Sequence, residues 1–71
     1  MMTIKYIKKY LATKIGCSIV IIYYGSRNRR ERYKGYLWKT YNNIFIIKLL
    51  SGEIKSFTYI DILTKNIQIY V

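Results

Sequence analysis

Hydrophobic positions change spacing after Gly16. From Thr3 to Ile15 they fall at Ile4, Ile7, Leu11 and Ile15, on one helical stripe, with Lys5, Lys8 and Lys9 mostly off it. The pattern predicts an N-terminal helix over 3–15, with Thr3 as N-cap and Gly16 as its stop. Lysines in the first turns oppose the helix dipole, so this helix needs tertiary packing, and it is expected to cover an open end of a β core. Tyr6 and Tyr10 could extend its packed face.

The rest of the chain reads as strands. CSIVIIYY, from Cys17 to Tyr24, is β-branched and aromatic without an internal glycine, and its near-continuous apolarity predicts burial on both faces. Gly25 and Ser26 then turn the chain into a basic loop. Tyr33 to Tyr41 is the second strand, with Gly35 a bulge or a point of close approach. On it Tyr36 and Trp38 share one face, and Leu37, Lys39 and Tyr41 the other. Asn42 and Asn43 tolerate left-handed angles and separate this strand from Ile44 to Leu50. After Ser51, Gly52 and Glu53 a fourth strand spans Ile54 to Ile60, with Phe57 and Tyr59 on the same side. A helical turn over Asp61 to Thr64, which Asp61 would cap, precedes a last strand from Ile67 to Val71. The fold expected is mainly β: a small five-stranded SH3-like, or Sm-like, barrel (17–71) with an N-terminal α-helix (3–15), in one domain spanning 1–71.

Composition narrows the functional classes. At 71 residues and 52% hydrophobic, the chain suits one small, ordered domain for which homo-oligomerisation would be unsurprising. No apolar run approaches the ~20 residues of a membrane-spanning helix, and the start MMTIKYIKKY mixes charge with isoleucine, unlike a secretory signal, so a cytoplasmic location is expected. The net charge is +10, from 13 Lys and Arg against 3 acids, and favours nucleic acid, anionic lipid or an acidic protein as partner. Ile, Lys, Asn and Tyr have AT-rich codons, which weakens the nine tyrosines as a sign of base stacking.

Catalysis lacks parts. There is no His, and the only carboxylates are Glu31, Glu53 and Asp61. Glu31 among arginines reads as an ion-pairing residue, and Cys17, the single cysteine, as a small core residue. No cofactor motif, metal-ligand set or small-molecule site is visible. What remains is binding. Arg27, Arg29, Arg30, Arg32 and Lys34 form the densest positive run, and Tyr33, Tyr36 and Trp38, which follow the arginines, could stack on bases, although Trp38 is read first as core. The candidate partners are nucleic acid, which is favoured, or an acidic regulatory protein, which the same guanidinium geometry would serve. A structural place in a nucleoprotein assembly is a third possibility.

Ordered landmarks run the length of the chain: Gly25 with Arg27, Arg29 and Arg30; Arg32 with Gly35-Tyr36-Leu37; Thr40-Tyr41 with Ile44-Phe45-Ile46-Ile47; and Ser56-Phe57-Thr58-Tyr59-Ile60-Asp61-Ile62-Leu63-Thr64. In these the chain resembles the Veg family of small bacterial proteins described as biofilm formation stimulators. It departs from the family at Asn42, where a proline is usual, and by Ser26, an extra residue before the first arginine. The resemblance implies a cytoplasmic SH3-like barrel that influences transcription of matrix genes and is not an enzyme. It implies no catalytic residues.

Overall fold

The computed structural model describes residues 3–26 and 29–71. Its elements in order are α1 (Ile4–Ala12), β1 (Ser18–Ser26), β2 (Arg29–Thr40), β3 (Ile44–Leu49), β4 (Ile54–Thr58), α2 (Tyr59–Leu63) and β5 (Ile67–Tyr70). The strands form one antiparallel sheet in the order β4-β3-β2-β1-β5. It curls strongly: Phe57 on β4 reaches across β3 to Tyr33 on β2, with ring centres 5.8 Å apart. The five antiparallel strands and the N-terminal helix are those expected; the sheet is nevertheless open, without the closure expected of a barrel. β4 has only five residues before the chain turns into α2, so its two edge strands are bridged by a helical turn instead of by a ladder of hydrogen bonds.

One face of the curl holds the core. Ile19 and Ile21 of β1, Leu37 of β2, Phe45 and Ile47 of β3, and Ile67 of β5 point inward at alternate positions and are buried, with Ile7 and Leu11 of α1 and Tyr59 of α2 packed over them. Each such side chain contributes about 1.5 to 3 kcal/mol through its burial. Phe45 anchors the cluster, its ring 5.7 Å from Tyr59 and 6.0 Å from Phe57. The Tyr59 hydroxyl, carried into the core, donates to the Tyr41 carbonyl at 2.7 Å.

The helix begins as expected, with the Thr3 hydroxyl accepting from the Tyr6 N–H at 3.2 Å, but it ends at Ala12. Only Ile7 and Leu11 of the stripe are buried. Ile4 and Ile15 are exposed, and Tyr6 and Tyr10 stack on each other outside the core, 6.5 Å apart. Lys8 ties the helix to the β2–β3 turn by donating to Asn42 Oδ1 at 2.7 Å. In that turn neither asparagine takes a positive φ; among the described non-glycine residues only Lys65 does.

Further expectations are corrected at Cys17, Lys39 and α2, while Gly35 meets its expectation as the point of close approach. Cys17 is exposed, because β1 starts one residue later and inward alternation starts at Ile19. The bulge lies at Trp38, between the pairs Leu37–Ile47 and Lys39–Ile46, and it takes Lys39 out of register with Leu37. Gly35 is the close approach: a Cβ there would sit 2.1 Å from the Lys48 carbonyl oxygen. α2 starts at Tyr59, two residues early, and its cap is Thr58, whose hydroxyl accepts from the Asp61 N–H at 3.1 Å, which leaves Asp61 in the first turn.

Candidate functional site

The arginine run is strand. β2 begins at Arg29 and pairs with β1 through Ser26–Arg29, Tyr23–Glu31, Ile22–Arg32, Ile21–Tyr33 and Val20–Lys34. Arginine and lysine carry no strong strand preference of their own; the β-branched and aromatic residues of β1 impose the conformation across the ladder. The basic loop is therefore corrected to one arm of a hairpin. β3 joins β2 only from Gly35 onward, so the arginine-bearing half has β1 on one side and a free edge on the other. Charges on such an edge also discourage pairing with other chains.

Alternation then divides the expected site residues. Arg30, Arg32, Lys34 and Tyr36 project from the outer face, opposite the core, and all are exposed. Arg29 and Tyr33 have the other parity. Tyr33 turns inward against Phe57, with Lys55 Nζ 5.4 Å from its ring centre. Arg27 lies outside the described residues. Trp38, expected in the core, stands on the outer face beside Tyr36, 38% exposed, with Lys39 and Lys48 ammonium groups 4.9 and 5.8 Å from its ring centre.

Side chains at alternate positions of a strand are about 6.7 Å apart, so the line from Arg30 through Arg32 and Lys34 to Tyr36 extends about 20 Å. Lys48, opposite Tyr36, adds a further cation. Among the described residues the only ion pair is Lys55 of β4 with Glu53 of the β3–β4 turn, at 3.5 Å, so the outer cations keep their field. Glu31, expected to pair with arginine, instead accepts a hydrogen bond from the Tyr33 hydroxyl, and this bond to a carboxylate holds the Tyr33 proton on above the ordinary 10.0, with burial adding to it.

Beside the cations lies a hollow of about 520 Å³, lined by Val20, Ile22, Arg30, Glu31, Arg32 and Tyr70. Its floor answers for the second half of the apolar run in β1. Ile19 and Ile21 are in the core, whereas Val20 and Ile22 face outward and are half-buried only by the neighbours that rim the hollow. An apolar depression of about 510 Å³ lies on the other side of Tyr70, between α1, α2 and β5, lined by Tyr6, Ile7, Tyr10, Ile62, Ile69, Tyr70 and Val71.

Sequence reasoning missed Lys48, Tyr70 and the outward pair Val20 and Ile22. Lys48 joins the site only through the β2–β3 register across the Trp38 bulge, and Tyr70 only through the long-range pairing of β5 with β1, where it lies opposite Val20. A local signal did exist for Val20 and Ile22, since a strand apolar on both faces in so small a domain has more apolar surface than one core can cover.

Comparison with known families gives one match: the family model described as biofilm formation stimulator VEG covers residues 2–70. A search of curated proteins found no match.

Proposed function

The chain belongs to the Veg family, and on that basis we propose that it is a non-enzymatic regulatory protein that stimulates biofilm formation by acting on transcription in the bacterial cytoplasm, with nucleic acid held on the outer face of its sheet. The observation that carries the binding step is the line of Arg30, Arg32 and Lys34, exposed on one face with Lys48 beside it. Arginine grips phosphate through paired N–H donors, and cations on successive outward positions of a strand follow a backbone without reference to sequence. A non-enzymatic role agrees with the carboxylates, which sit on three separate elements: Glu31 on β2, Glu53 in the β3–β4 turn and Asp61 in α2. We further regard the curled sheet, with its edge strands bridged by α2, as an SH3-like barrel left incompletely closed.

The test is fluorescence anisotropy of labelled nucleic acid across a salt series. Four phosphate contacts predict a log–log slope near −3 to −4, and Arg30→Ala with Arg32→Ala and Lys34→Ala should flatten it. Undiminished binding by the folded triple variant would remove the face as the site. An acidic transcriptional regulator is the second candidate partner. The observation favouring it is the apolar depression beside the free edge of β5, which suits a protein segment better than a phosphate backbone. Partners recovered with the tagged protein that survive nuclease treatment and are lost on Tyr6→Ala would favour this second partner.

A further inference from the structure

We infer that the hollow between Val20, Ile22 and Tyr70 receives one unstacked base of a single-stranded nucleic acid, whose phosphates run along Arg30, Arg32 and Lys34. The inference rests on the outer face being a nucleic-acid surface and adds which form of nucleic acid it takes.

Three observations carry it. First, the hollow combines an apolar floor with a rim of two arginines, between which lies one acid, Glu31, whose carboxylate accepts from the Tyr33 hydroxyl. Val20 and Ile22 lie on the floor, Tyr70 walls one side and Arg30 and Arg32 border the other. A duplex offers this surface its phosphates and hides its base faces, so it has no use for such a floor, whereas a single strand presents both a base face and a phosphate to neighbouring points. At about 520 Å³ the hollow falls within the usual range of small-ligand sites, roughly 300 to 1,000 Å³.

Second, the arginine-bearing half is broader than the two-stranded ribbon that fits a major groove. A two-stranded ribbon can enter a major groove about 12 Å across. Here β5 pairs with β1 over Val20–Tyr23 while β2 pairs with its other edge, so three strands lie side by side there. Their backbones alone span about 10 Å, and the side chains on the outer face add to it. The platform is therefore suited to a strand laid across it.

Third, the cations continue toward more aromatic surface. Beyond Lys34 the outward positions are Tyr36 and, at the bulge, Trp38, with Lys48 between them. The Trp38 ring already draws two ammonium groups, and a base stacked on its face would bring a phosphate within reach of the same lysines. The hollow flanks this cationic line at Arg32 and Lys34, and the second platform stands at its Tyr36 end.

The experiment is anisotropy with a labelled 12-nucleotide single strand, as RNA and as DNA, and with the matching duplex, under identical salt, using the full chain and three variants. Tyr70 is 54% exposed at the end of an edge strand, so Tyr70→Ala should fold, which circular dichroism checks. Single strands are expected to bind at least tenfold more tightly than duplex. Tyr70→Ala should weaken single-strand binding between about fivefold and about 100-fold without changing its salt slope, since it removes stacking and no phosphate contact. Arg32→Ala should reduce that slope by about 0.7, and Tyr6→Ala, beyond Tyr70 and away from the hollow, should change nothing. Preference for RNA or for DNA supports the inference equally and identifies the source of the strand. Duplex binding as tight as single-strand binding, or a folded Tyr70→Ala protein that holds single strands as well as the parent, overturns the inference while leaving the cationic face as a nucleic-acid site. Failure of every probe to bind at low salt would overturn the nucleic-acid proposal itself, and this inference with it.

Discussion

Ile21 and Ile22 are neighbours on β1, chemically identical, and they belong to different regions of the molecule. Ile21 is buried in the core, while Ile22 floors a hollow ringed by arginine and tyrosine. The same division runs through the sheet: the inner face is covered by α1 and Tyr59, and the outer face, carrying Arg30, Arg32, Lys34 and Lys48, is covered by no element among the described residues. In a domain this small one layer of helix is available, and it goes to one side. The other side can stay uncovered because its apolar residues are few and flanked by charge, whose aliphatic stems shield them while the charged ends remain in water. The core and the proposed binding surface are thus separated by the two-residue period of a strand.

That separation is most severely tested by paired substitutions on one strand. Ile21→Ala should cost about 2 to 5 kcal/mol, measured by denaturant unfolding, and Ile22→Ala less than about 1 kcal/mol. Equal costs would show the outer face to be as structural as the inner. Gly35→Ala should cost about 3 kcal/mol or more, because its Cβ would meet backbone, the Lys48 carbonyl oxygen and the Leu49 Cα, which cannot move without breaking the β2–β3 ladder. A drop in melting temperature of about 12 °C or more is expected for a chain of this size. Next in size is the combined Arg30→Ala, Arg32→Ala and Lys34→Ala protein. Its stability should stay within about 0.5 kcal/mol per site, while the salt slope for single strands flattens by about 2. A large loss of stability would mean that the cations serve the fold.

Much of this was legible in the chain and some was not, for physical reasons. The Thr3 cap and the breaks at Asn42-Asn43 and Gly52 are local properties that turn and cap chemistry reveal. The arginine run misleads because its residues have little strand preference, and its conformation is supplied by β1 through cross-strand pairing. Trp38 looks like core by type. A bulge places it outside, and a bulge is invisible without the partner strand's register. The open sheet was missed because five alternating segments look the same whether the edges pair or not; the early start of α2 at Tyr59 decides it. Of the proposed binding face, Arg30, Arg32, Lys34 and Tyr36 were legible, and Lys48 and Tyr70 were not, since they reach it only through pairings distant in sequence.

The smallest effect bears on the one polar group the core contains. Tyr59 is fully buried, and its hydroxyl donates to the Tyr41 carbonyl. Burial disfavours the phenolate and raises the hydroxyl's pKa above the ordinary 10.0. The folded chain therefore holds a proton that the unfolded chain releases first, so this group's contribution is complete below pH 10.0 and is lost as pH rises through the raised folded value. Tyr59→Phe should lower stability by about 1 kcal/mol at neutral pH, through the lost hydrogen bond, and yet lose less than the parent on moving above pH 10.0. Tyr33, with its proton held by Glu31, titrates with the same sign but is present in both proteins, so it cancels from the difference. Thermal melts of the two proteins at neutral and alkaline pH measure that difference directly. If both lose stability equally, the Tyr59 hydroxyl is not sealed from water, and the inner face is more open than its packing indicates.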